Sequence, residues 1–162
     1  TSIISRELDR EVFNLGFSGN AKLDLEIAEY MATVEDPGVF VLDYVPNCTA
    51  EMIDADAEKF FRIIRDAHPD VPVIMIELPY YPTKDYDRKR FEESKDRNAA
   101  QRRLYDKLKK AGEKKLLYIE SDRLRDGCKD ATVDGVHYTD LGSVIHAEAI
   151  LPVIRKALKM NK

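Results

Sequence analysis

Apolar residues along this chain follow two alternating rhythms. Short runs rich in β-branched and aliphatic residues occur at 12–15, 39–43, 73–78 and 116–120, each of a length suited to a buried strand. Between them the apolar spacing widens to three and four. Over 21–33 it gathers Leu23, Ile27, Ala28 and Met31 on one helical face, and over 50–67 it gathers Ile53, Phe60, Ile63 and Ile64. The segment 83–110 begins as a mixed charge run, read as a solvated face, and settles into a helix with Leu104, Tyr105 and Leu108 inward. The last helix, 141–159, stacks Leu141, Val144, Ile145, Leu151, Ile154 and Leu158, with Pro152 expected to kink it. Strands alternating with helices predict a parallel sheet joined by crossover helices.

The first eight residues read as the inside of an amphipathic helix already under way, so an upstream segment is expected before Thr1. A length of 162 residues fits one domain with a sizeable core. A formal net charge of -4 argues against a nucleic-acid or anionic-membrane surface and fits small neutral ligands. No apolar run reaches the length of a membrane span. The two cysteines, Cys48 and Cys128, are too few for a disulfide framework and too far apart for a metal pair.

Three segments carry candidate chemistry, and each falls after a predicted strand or before the last helix, where open parallel sheets build their sites. The first is the turn Gly16, Phe17, Ser18, Gly19, Asn20, which can aim the Gly19 amide into a cleft. Ser18 lacks the second glycine of a nucleophile elbow and is read as a turn residue. The second segment ends at Pro46 and Asn47. Asn47 can cap the next helix or point its amide into the cleft, with Thr49 as the other available cap.

The third is Asp134, Gly135, Val136, His137, followed by Thr139 as the N-cap of the last helix. An acid three residues before a histidine can hold Nδ1 and leave Nε2 as a general base. The nearby Asp130, Asp140 and His146 raise a metal reading, disfavoured because His146 lies nine residues beyond His137 on a largely apolar helix. His68 is expected to do no more than cap a helix end.

In this order, the Gly19 turn, Asn47 and the Asp134/His137 pair resemble the SGNH (GDSL-type) hydrolase family over nearly the whole chain. The likeness is strongest to GDSL-like esterases and carbohydrate acetyl esterases. It implies a three-layer α/β/α domain over 1–162 with a flavodoxin-like parallel sheet. The family's first block, a strand ending in the turn that supplies the nucleophilic serine, is expected upstream of Thr1. That strand would be central, between the runs at 12–15 and 39–43. The resemblance further implies a serine ester hydrolase in which His137 is the base, Asp134 orients it, and Gly19 and Asn47 form the oxyanion hole. No cofactor or metal is implied. The implied substrate is a small ester or acetylated sugar, with neither nucleic acid nor membrane as partner. The chain on its own is expected to be inactive, and to need the upstream segment or a second copy to close its sheet, making a homo-oligomer one outcome. The rival is a non-catalytic carbohydrate- or protein-binding module on the same fold. A receiver or nucleotide binder would need an acidic cluster at the first strand or a phosphate-cradling glycine loop, and the chain has neither.

Overall fold

Three short strands form where the apolar runs predict them: β1 (Phe40–Leu42), β2 (Val73–Ile76) and β3 (Leu116–Ile119). The computed structural model describes residues 1–79, 87–124 and 130–160. The opening of the charge run and Cys128 therefore lie outside the described residues. The strands pair in parallel in the order β1-β2-β3, with Phe40 opposite Val73 and Val73 opposite Leu116. Parallel neighbours need long crossovers. The helices α3 (Ala50–Ala67) and α4 (Arg88–Lys110) supply them. The helices α1 (Ser2–Leu8) and α2 (Leu25–Ala32) precede β1, and α5 (Asp140–Met160) follows β3.

Alternation along the strands divides the core in two. Phe40, Leu42, Val73, Met75 and Leu116 pack with the apolar faces of α2, α3 and α4. Val39, Ile74, Ile76, Leu117 and Ile119 pack with α1 and α5 on the other side. The outcome is a three-layer α/β/α arrangement with β2 buried on both faces. Side chains such as Phe61, Ile64, Ile74 and Met75 are fully enclosed, each contributing about 1.5–3 kcal/mol of transfer free energy.

The helix ends explain several boundaries. Thr49 Oγ1 accepts the Met52 N–H (3.3 Å) and caps α3, which frees Asn47 from that duty. His68 closes α3 through its N–H to Ile64 O (2.9 Å). It also does more than cap: its Nε2 lies 3.1 Å from Ala32 O and its ring packs on Phe40, tying the end of α2 to α3 and the sheet. Arg65, inward on α3, donates to His68 O, Pro69 O and Val71 O and holds the turn into β2.

Three expectations need correction. Residues 12–15 form no strand, because no neighbouring strand lies beside them to accept their ladder bonds. Helix α2 begins at Leu25, not residue 21, because Leu23 sits in the left-handed region (φ 67°) and cannot continue a helix. Leu141 and Val144 of α5 are exposed, and the buried face is instead Gly142, Ala147, Ile150, Leu151, Val153, Ile154 and Ala157. Pro152 lies inside the helix.

Candidate active site

The loop from Asp130 to Thr139 is built by its own hydrogen bonds. Thr132 bridges Tyr138 in antiparallel fashion, Val133 N–H donates to His137 O (2.9 Å) and Thr139 N–H to Ala131 O (3.0 Å). Gly135 turns the tip at φ 82°, a conformation that suits glycine. Thr139 then faces both ways, its hydroxyl donating to Asp130 O (2.9 Å) and accepting the Gly142 N–H (3.0 Å). It thus caps α5, as its sequence position suggests.

Within that loop Asp134 and His137 come together. Asp134 Oδ2 lies 2.7 Å from His137 Nδ1, while Oδ1 accepts the N–H groups of His137 (2.8 Å) and Val136 (2.9 Å). These bonds, the His137 backbone first, then its ring, then Val136, hold the Asp134 carboxyl down at about 2. An ionised acid on Nδ1 fixes a proton there and leaves Nε2 as the acceptor. The His137 side chain is 78% exposed, so that nitrogen faces open space. Among the described residues no hydroxyl or thiol hydrogen-bonds it.

Gly19 and Asn47 occupy the loops that follow residues 12–15 and β1. The Gly19 turn is closed by Asn20 N–H onto Phe17 O (2.6 Å), with Gly19 itself at φ 69°. Asn47 ends a 3-10 turn (Val45–Asn47) that is fixed by its N–H to Tyr44 O (3.0 Å) and by Arg97 Nη1 on Pro46 O (3.2 Å). The Asn47 turn follows the carboxyl end of β1 and the His137 loop comes after β3, the end at which parallel sheets build their sites. No hydrogen bond joins Gly19 or Asn47 to the His137 pair.

The support beneath these loops escaped the sequence reading. Helix α4 carries a buried polar row under the carboxyl ends of β1 and β2. Asn98 brackets Leu78, accepting its N–H and donating to its carbonyl at 2.8 Å each. Gln101 donates to Ile76 O (3.1 Å) and accepts the Tyr44 hydroxyl. Their i, i+3 spacing on the apolar side of a highly charged helix was the available signal. Next to them Glu77 accepts the Tyr118 hydroxyl and the Ser121 N–H, both at 2.8 Å.

His146, considered above as a metal ligand, instead pairs with Tyr138 through Nδ1 (3.0 Å). Burial pushes its imidazole down to about 4. Among the described residues no three His, Cys, Asp or Glu side chains converge to hold a metal ion. Cys48 is a buried thiol pushed up to about 11 by burial, unsuited to attack. No described helix is long and apolar enough to cross a membrane.

The fold has counterparts among known proteins. The model of the GDSL-like Lipase/Acylhydrolase family matches residues 1–155. The chain belongs to that family. A crystal structure of a GDSL-like lipase from Bacteroides ovatus ATCC 8483 superposes with a TM-score of 0.81 at 33% identity, covering 87% of this chain and 42% of that one. The salicylyl-acyltransferase SsfX3 from a tetracycline biosynthetic pathway shares the fold, with a TM-score of 0.76 at 17% identity over 91% of this chain and 46% of that one. The chain thus spans less than half the length of either structure. No curated protein matches it.

Proposed function

We propose that the polypeptide to which this chain belongs is a serine ester hydrolase, with His137 as its general base and Asp134 as the orienting acid. The observation that carries this reading is the Asp134–His137 contact, 2.7 Å at Nδ1, in a self-braced loop of a GDSL-like family member. The nucleophile is a serine upstream of Thr1. Its Oγ adds to the acyl carbon while its proton passes to His137 Nε2. The Gly19 N–H and the Asn47 side-chain amide donate to the oxyanion. Each such donor is worth on the order of 3 kcal/mol once charge develops. Collapse expels the alcohol, which takes the proton from His137, and water then frees the acid by the same route. The substrate proposed is a small soluble ester, an acetylated sugar among them. The relative from Bacteroides ovatus is a GDSL-like lipase and SsfX3 is an acyltransferase, and both names fit a covalent acyl step.

One observation favours a second reading for the 162 residues by themselves. Ser5 Oγ is spent on Arg10 O (2.6 Å), Ser94 Oγ on Arg90 O (2.8 Å), and no described serine meets His137. Without an upstream serine the domain would be a binding module. Treating the upstream-extended polypeptide with a fluorophosphonate probe and assaying p-nitrophenyl acetate turnover separates the two. A labelled upstream serine with turnover lost in His137→Ala supports the hydrolase. An unlabelled, inactive protein that retains its fold supports the module.

A further inference from the structure

The turn that carries Asn47 is held from helix α4. Arg97 and Gln101 stand one helical turn apart on that helix, and both reach the loop after β1. Gln101 is fully buried, accepts the Tyr44 hydroxyl and donates to Ile76 O (3.1 Å). It thereby ties the start of the turn to β2. Arg97 takes the other end, donating from Nη1 to Pro46 O (3.2 Å).

One peptide group receives two restraints. The Pro46 carbonyl and the Asn47 N–H belong to the same rigid plane. Its oxygen is held by Arg97, and its N–H is held by Tyr44 O (3.0 Å). A plane pinned at both ends resists rotation, so the bond from Asn47 Cα to its side chain leaves in one direction. The buried Val45 and Cys48 set the depth of the turn against the core. Apolar burial is non-directional, however, and does not fix the tilt of a peptide plane.

The Asn47 side chain is left unspent by this scaffold. Thr49 Oγ1 takes the Met52 N–H and caps α3, and no described residue hydrogen-bonds the Asn47 side-chain amide.

We propose that Arg97 is a positioning residue for Asn47: through the Pro46 carbonyl it sets the direction in which the Asn47 side-chain amide donates. The role rests on the proposed hydrolase for what that amide meets, the oxyanion, and on the geometry of the turn for the rest. An oxyanion donor acts at about 2.7–3.1 Å from the oxygen, so a tilt of the Pro46–Asn47 plane carries the amide out of range. A guanidinium on a neutral carbonyl makes a charge-assisted hydrogen bond, the stronger kind, which suits a group that must not drift.

A double-mutant cycle on the upstream-extended polypeptide tests the route by which Arg97 acts. Arg97→Ala should lower kcat for p-nitrophenyl acetate about 10-fold at constant KM. Arg97→Lys keeps one donor for Pro46 O and should recover most of that loss. In an Asn47→Ala background the same Arg97→Ala change should cost less than about two-fold, because the group it aims is gone. Arg103→Ala, which breaks an exposed ion pair to Asp54 on the same helix, should leave kcat unchanged. Amide hydrogen exchange gives a readout free of substrate: at Asn47 it should quicken at least about 10-fold in Arg97→Ala, with Ile74 in β2 unmoved. An Arg97→Ala loss that persists in full in the Asn47→Ala background, or that appears as a rise in KM, overturns the assignment. Unchanged exchange at Asn47 overturns it too. If no fluorophosphonate labels the parent, the hydrolase falls; quickened exchange at Asn47 then leaves the hold of Arg97 on the turn standing, and unchanged exchange removes both.

Discussion

Asp134 divides its work between its two oxygens. Oδ1 holds the loop through two backbone amides, and Oδ2 holds the imidazole. Replacement by asparagine keeps an acceptor for the amides but sets an NH₂ against Nδ1. The ring then prefers the tautomer with its proton on Nε2, and the base is lost. In the upstream-extended polypeptide, Asp134→Asn is expected to stay folded with a small drop in melting temperature and to lose at least about a thousand-fold in kcat, and His137→Ala to lose as much. Ester turnover beside thermal melts checks both; activity within a few-fold of the parent would remove the pair from the chemistry. The Asp134 carboxyl, depressed to about 2, stabilises the loop fully above its unfolded value near 3.9, and that contribution is lost as pH falls through 2. Asn47→Ala should lower kcat by roughly 100-fold or more with little change in KM, because an oxyanion donor acts chiefly in the transition state. A rise in KM at constant kcat would place Asn47 in substrate recognition instead.

Among the elements, legibility followed how local the determining physics is. The bounds of helix α3 were readable to the residue, because its apolar spacing and the following proline agree, while the choice of Thr49 over Asn47 as its cap was not. The Asp134 and His137 contact was readable for the same reason, since three residues of separation and one glycine decide it. Residues 12–15 have a strand's composition, but a strand is completed by its neighbour, and composition says nothing of whether the neighbour is there. Asn98 and Gln101 were hidden because their value lies in carbonyls and amides some 20 residues away. Asn98→Ala should therefore cost about 1–3 kcal/mol in a denaturant titration, by stranding the buried Leu78 amide and carbonyl. Gly142 shows a constraint of the same hidden type. A Cβ there would lie 1.9 Å from Ala131 O, in backbone that cannot swing aside. Gly142→Ala is expected to cost about 1–3 kcal/mol and to displace the His137 loop, with activity falling more than stability explains. Unchanged melting and turnover would show that α5 can shift without moving the loop.

For the molecule as a whole, two groups that line a cavity of about 620 Å³ beside β1, His146 and Asp43, oppose one another in pH. His146 is pushed down to about 4 by burial. The unfolded chain therefore takes up its proton first as pH falls. Its contribution to stability is complete above an unfolded value near 6.5 and is lost as pH drops from there through 4. Asp43 reaches solvent through that cavity but is crowded by protein, and the loss of hydration pushes its carboxyl up to about 6, so the folded chain binds the proton more tightly. Its contribution is complete below an unfolded value near 3.9 and is lost as pH rises through 6. Between about pH 4 and 6 the two slopes have opposite signs and partly cancel in the parent. Single variants expose them. Asp43→Asn should leave stability rising with pH across that window, and His146→Gln should leave it falling. Urea titrations of both variants at several pH values between 4 and 7 measure the slopes, and slopes of the same sign would show that the cavity does not set these two ionisations.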